Sequence, residues 1–126
     1  MRGRGAVVDV GIAALLMLST SVANAADAKA GQEIFSRCAA CHTVQKGGPN
    51  GLGPNLFGVV GRKAGSKPDF SYSAAMKGAG FSWTPQKLDA YIAHPAEVVP
   101  GNRMAFAGIP DAKQRADLVA YLRTLK

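Results

Sequence analysis

Apolar residues recur at helical spacing in several stretches of the chain, and most of these open on a residue able to cap a helix. Asp27 caps a predicted helix running to about Ala39, with Ala30, Ile34, Phe35 and Cys38 forming one apolar stripe. Gly31 falls inside it, where glycine costs about 1 kcal/mol relative to alanine, so another backbone is expected to pass close there. Glu33 and Arg37 form an i, i+4 pair on its wet face. Ser73 starts a short helix over Ala74, Ala75 and Met76, and Gly78 ends it. Thr84 followed by Pro85 opens a third helix whose buried side carries Leu88, Tyr91 and Ile92, and Pro95 stops it. Asp111 with Gln114 forms a capping box before Leu118, Val119, Leu122 and Leu125, which predicts a last helix reaching nearly to Lys126. Its stripe needs a partner, and the Gly31 region of the first helix is the natural one.

Between these elements the pattern breaks down. Residues Gly47 to Pro68 are dense in Gly and Pro, with Gly53-Pro54-Asn55 among several turn signals, and Val98 to Pro110 reads as an extended loop holding Met104. A long loop in a small domain usually has a job, and wrapping a cofactor is one. The Gly51-Leu52-Gly53 triplet lacks both the G-x-G-x-x-G spacing and a preceding strand, which argues against phosphate binding. No repeat or low-complexity segment occurs, and one domain is expected over residues 26–126.

The first 25 residues follow a different logic. Arg2 and Arg4 make a positive start, Val10 to Leu18 is an uncharged apolar run, and Ala23-Asn24-Ala25 is a small-residue cleavage signal. Residues 1–25 are therefore read as a cleaved secretory signal peptide, which places the mature protein in the periplasm. The apolar run is too short for a comfortable membrane span, with an uncleaved anchor as the alternative reading.

Charge narrows the partners. The 126-residue chain has 15 Lys and Arg against 8 Asp and Glu. Loss of residues 1–25 removes two arginines and one aspartate, which leaves a net charge of +6. The cations are scattered singly without aromatic interleaving, which argues against nucleic acid and for a soluble surface that favours acidic partners.

The chemistry is concentrated in Cys38-Ala39-Ala40-Cys41-His42, a C-x-x-C-H run that reads as a covalent haem attachment site. At about 100° per residue, positions i, i+3 and i+4 share one helix face, so a single turn presents both thiols and the imidazole to one flat group. Two thioethers would hold the haem edge and His42 would take the iron as proximal ligand. The rivals are weaker. A thioredoxin-like dithiol follows a strand, and no strand pattern precedes Cys38. Tetrahedral zinc needs four ligands, and the second histidine, His94, belongs to no paired cluster. A plain disulfide leaves His42 without a role. Candidates for a sixth iron ligand are Met104, Met76, His94 and the lysines. Met76 lies between helical residues, as core or cover, and His94 before Pro95 reads as an exposed or capping side chain. Met104 lies in a loop beside Ala105 and Phe106, where a thioether can face a dry pocket.

Taken together, Cys38 to His42, Gly53-Pro54-Asn55-Leu56, Gly61-Arg62-Lys63, Trp83, Tyr91 and the run Pro100 to Gly108 resemble a class I cytochrome c of the mitochondrial-type and short bacterial cytochrome c2 branch. The resemblance spans essentially all of residues 27–126. It implies an all-α fold, with N- and C-terminal helices crossing around one covalently bound haem c and long haem-wrapping loops. By the same resemblance Met104 is the sixth ligand, and the Pro54 carbonyl accepts a hydrogen bond from the His42 ring. Tyr72, Trp83 and Arg62 satisfy the haem propionates, Tyr91 sits near the methionine sulfur, and Gly31, Phe35, Leu118 and Tyr121 form the helix crossing.

The function implied is a monomeric one-electron carrier between respiratory or photosynthetic membrane redox complexes with acidic docking surfaces, loaded by the haem c maturation machinery. It is not an enzyme, although a haem subunit of a periplasmic dehydrogenase would carry the same motifs. The chain departs from its relatives at Met76, where a polar residue is frequent, and at Asn102, where threonine is. Ala96, Glu97 and Asp111 stand where mitochondrial relatives commonly carry docking lysines. By the resemblance Arg37 and Arg103 lie near the exposed haem edge, while Glu97 and Asp111 dilute the positive face around them.

Overall fold

The computed structural model describes residues 3, 5–8, 10–15 and 25–126. Met1, Arg2, Arg4, Asp9 and Leu16 to Asn24, about half of the expected signal peptide including Ala23 and Asn24 of its cleavage motif, lie outside the described residues. Among the described residues no helix is long and apolar enough to cross a membrane.

Among the described residues five α-helices and one 3₁₀ turn follow in order: α1 (Ala28–Ile34), the 3₁₀ turn (Phe35–Arg37), α2 (Ala74–Lys77), α3 (Pro85–Ala93), α4 (Pro95–Val98) and α5 (Ala112–Arg123). Four of the helices begin where the sequence places a cap. Asp27, Ser73, Thr84 and Asp111 each accept a hydrogen bond from a backbone N–H in the first turn that follows. No strand is present among the described residues, and the one isolated bridge pairs Lys63 with Ser82.

Three expectations need correction. The first helix does not run to Ala39 as α-helix. It tightens at Phe35, whose carbonyl accepts from both Cys38 N–H (2.7 Å) and Ala39 N–H (3.1 Å). Pro95 ends α3, but it also occupies the first position of α4, because proline's missing N–H costs nothing there. The extended loop consequently starts at Val99 rather than Val98. The Glu33–Arg37 pair also does not form, since Arg37 reaches across to the Gln114 side chain at 3.4 Å.

The most extensive helix contact is α1 against α5, with Phe35 and Tyr121 rings 5.5 Å apart. Leu118 of α5 and Ile109 of the preceding loop are fully buried, and Val59, Leu88, Ile92 and Leu122 complete a small core. The aromatic rings of Phe81, Trp83 and Tyr91 continue it, with centroids 4.9 Å and 4.8 Å apart in sequence order. Beside this core the helices and loops leave one large cavity.

Candidate cofactor site

The cavity measures about 500 Å³, and its wall includes Cys38, Cys41, His42 and Met104. That volume lies in the range of a whole small-molecule or cofactor site. The turn bearing the cysteines forms because the Cys38 carbonyl accepts from both Cys41 N–H (3.1 Å) and His42 N–H (2.9 Å). This one turn projects both thiols and the imidazole to the same cavity, as the spacing predicts.

Both thiols are free. No cluster of three or more His, Cys, Asp or Glu able to hold a metal ion occurs among the described residues. Cys38 is half-buried, and burial pushes its thiol above the ordinary value, against the opposing effect of Arg37. Cys41 is exposed at the cavity mouth.

His42 is held with a defined tautomer. Its Nδ1 lies 2.7 Å from the Pro54 carbonyl oxygen. A carbonyl only accepts, so Nδ1 carries the proton and Nε2 keeps its lone pair. Burial lowers the imidazole pKa, the bond to Pro54 works against that, and Arg62 adds to it. The net result favours the neutral ring, the form that binds metals. The approach of Pro54 depends on Gly53, where a Cβ would overlap the His42 ring.

Loop Val99 to Ile109 presents Met104. Along it Asn102, Met104, Phe106 and Gly108 are half-buried while Arg103, Ala105 and Ala107 are exposed, the alternation of an extended chain. Asn102 sets the register locally, its Nδ2 donating to the Val99 carbonyl (2.9 Å) and its Oδ1 accepting Met104 N–H (2.9 Å). Met76 lines the same cavity from α2, whereas His94 is exposed and caps the junction of α3 and α4.

Arg62, Tyr72, Trp83 and Tyr91 also line the cavity. Arg62 donates to the carbonyls of Asn55 (3.1 Å) and Phe57 (3.3 Å), and the Tyr72 hydroxyl accepts Lys67 N–H at 3.2 Å. The Tyr72 hydroxyl hydrogen is thus left for another acceptor. Burial pushes the Tyr91 phenol up to about 12, so it remains a neutral donor.

Two residues that organise the site were not assigned a role from sequence. Asn55 is buried, donating Nδ2 to the carbonyls of Gln45 (2.9 Å) and Gly48 (3.3 Å) while its Oδ1 accepts Phe57 N–H (2.8 Å). It thereby holds the loop that carries Pro54. An asparagine among Gly and Pro turns was the available signal. Arg115 donates to Asp89 (2.9 Å) and to the carbonyls of Ile109 (2.9 Å) and Pro110 (2.8 Å), which fastens the far end of the Met104 loop.

An all-helical domain closed around one cavity, with a C-x-x-C-H turn in the wall, is the architecture of class I c-type cytochromes. The profile of the family described as "Cytochrome c" matches residues 28–126. Among curated relatives, a "Cytochrome c homolog" of Bradyrhizobium diazoefficiens is 50% identical over 101 residues, covering 79% of this chain and 55% of that protein. The chain thus spans about half the length of that relative. "Cytochrome c2" of Rhodomicrobium vannielii is 42% identical over 113 residues and is covered over 90% of its own length, as is this chain. The solved structure of cytochrome cH from Methylobacterium extorquens superposes with a TM-score of 0.73 at 44% identity, covering 78% of this chain and 98% of the other. The chain belongs to the cytochrome c family, whose members are electron carriers, not enzymes, with covalently attached haem c. The residues present fit that group, for two free thiols, one imidazole with a free lone pair and a thioether all border the same cavity.

Proposed function

We propose that the protein is an exported, monomeric, periplasmic one-electron carrier that exchanges electrons with membrane redox complexes through an iron held by His42 and Met104. When bound, the haem supplies one iron that cycles between ferric and ferrous states. Cys38 and Cys41 hold it by thioethers, which requires both thiols to be reduced when the maturation machinery delivers it. Pro54 fixes the ring of His42, so the same nitrogen faces the cavity throughout. Arg62, Tyr72 and Trp83 would supply donors for the haem propionates, and Tyr91 would supply a neutral donor to the same cavity.

The observation that supports this reading best is the pairing of a tautomer-fixed imidazole with a thioether on one largely apolar cavity. Thioether ligation and exclusion of water both favour the lower charge on the metal, and they suit a carrier of positive potential. With His42 and Met104 both holding the iron, no ligand position would be left for a substrate.

The test is ligand replacement. Met104→Ala is expected to keep covalent haem, lower the reduction potential and open the reduced protein to carbon monoxide. Met76→Ala and His94→Ala are expected to do neither. An unchanged potential and spectrum in Met104→Ala would overturn the assignment.

A further inference from the structure

From Ala25 onward, Leu52 is the one strongly exposed large apolar side chain among the described residues, 84% exposed. A leucine this exposed contributes almost nothing to the core. Single exposed leucines are ordinary on protein surfaces, so exposure alone says little. Its placement is what sets Leu52 apart.

Leu52 stands at the tip of a turn pressed onto the attachment site. Gly51 N–H donates to the Gly53 carbonyl (3.0 Å), and Gly53 N–H donates to the Cys41 carbonyl (2.8 Å). A Cβ on Gly51 would lie 2.6 Å from the Cys41 carbonyl, and one on Gly53 would overlap the His42 ring. The flanking glycines therefore let the backbone lie flat against the site, and the single side chain of the turn projects into solvent from a fixed base. An apolar group held this way loses little conformational freedom when a partner covers it.

The surroundings are selective in charge. The exposed residues of the cavity wall are Arg37, Cys41, Leu52, Ser71, Arg103 and Ala105. They include two cations and no carboxylate, and Leu52 is the largest apolar group among them. The rim thus combines positive charge with one apolar knob beside the exposed attachment cysteine.

We propose that Leu52 is the apolar anchor of the electron-transfer docking surface, filling an acid-rimmed apolar socket on a redox partner. This rests on the electron-carrier reading above and gives that reading a partner chemistry. Arg37 and Arg103 steer encounter, and Leu52 holds the docked complex by burial, so the two contributions respond differently to salt. The cations act chiefly on association and fade as ions screen them. Burial of Leu52 acts chiefly on dissociation and persists.

The experiment uses haem-loaded protein and membranes of the source bacterium, following its reduction and oxidation by the membranes at low and high ionic strength, with ferricyanide as a small hydrophilic comparator. Leu52→Ala is expected to raise the KM for the membranes about three- to tenfold, the loss of about one to two buried CH₂ equivalents from a side chain the partner covers only in part, by a similar factor at both salt levels. Its midpoint potential and its rate with ferricyanide are expected to match wild type. Leu52→Met is expected to retain docking, and Arg103→Glu to show an effect that fades with salt. A Leu52→Ala protein indistinguishable from wild type toward membranes overturns the anchor and leaves the carrier reading intact. A changed potential or ferricyanide rate overturns it too, by assigning Leu52 to covering the cofactor. Wild-type protein that reacts with ferricyanide but with no membrane preparation overturns the carrier reading itself.

Discussion

Gly31 of α1 lies so close to Asp117 of α5 that a Cβ on Gly31 would fall inside the contact distance of the Asp117 carbonyl oxygen. The obstacle is backbone, not a side chain that can swing away. Gly31→Ala would gain about 1 kcal/mol of helix propensity and lose about 3 kcal/mol to overpacking, the upper end of the usual range because the clash is with backbone. Overpacking wins, because neither helix can move without disturbing the Phe35–Tyr121 contact. Denaturant unfolding of the haem-loaded protein should show a net loss of roughly 2 kcal/mol, and equal or greater stability in Gly31→Ala would contradict the close crossing.

That contact was legible in the sequence because a glycine inside an amphipathic helix asks for a reason. Helix starts were legible for a similar reason, since Asp27, Ser73, Thr84 and Asp111 carry oxygens that reach the N–H groups they cap. Helix ends were less so. The apolar stripe through Ile34, Phe35 and Cys38 is compatible with either i+3 or i+4 bonding, so nothing in it marks the tightening at Phe35. Pro95 serves α3 as a stop and α4 as a start, and the sequence reading used only the first role. The C-x-x-C-H turn was readable because its spacing is its chemistry. The contributions of Asn55, Asn102 and Arg115 depend on carbonyls distant in sequence or turned by loop geometry, which side-chain patterns do not report.

Acid should weaken the same helix crossing. The Asp117 carboxylate accepts the Asp27 backbone N–H (2.8 Å) and the Lys113 ammonium (2.5 Å), and these two bonds, in that order, hold it below its usual value. A carboxyl with a depressed folded pKa adds stability that is complete above its unfolded value, near 3.8 here, and is lost as pH falls through the folded value. Asp117→Asn keeps an acceptor for Asp27 but removes the charge. Its stability deficit against wild type should therefore be steady from neutral pH down to about 4 and close below that. A deficit that widens in acid would rule out this account.

Processing makes a separate prediction. Ala25 and Ala26 are exposed, and the first tertiary hydrogen bond of the domain is made by Asp27 N–H. Cleavage after Ala25 would therefore leave every contact of α1 in place. Mass spectrometry of protein purified from periplasm should give residues 26–126 plus one haem. Protein that retains Arg2, or that stays with membranes after a high-salt wash, would count against cleavage.

The Met104 loop is fastened at both ends, by Asn102 before the methionine and by Arg115 after it. Arg115 is the stronger fastening, since one half-buried guanidinium joins α3 through Asp89, the loop through Ile109 and Pro110, and its own helix α5. Hydrogen bonds from a charged donor are worth about 1.5–3 kcal/mol when buried, but the Pro110 carbonyl is exposed and water can replace that bond. Arg115→Ala should therefore cost on the order of 1–3 kcal/mol, whereas Asp89→Ala, which removes only a half-exposed ion pair, should cost under about 1 kcal/mol. The loss is expected to reach the thioether. With its far end released, the loop should let Met104 leave more often, so Arg115→Ala should bind carbon monoxide faster than wild type and slower than Met104→Ala. Arg115→Lys restores the charge but not the fork that spans both carbonyls, and it should recover only part of the difference. If Arg115→Ala loses stability while its carbon monoxide rate stays at the wild-type value, the clamp supports the helices alone and Met104 is held by Asn102 and its own packing.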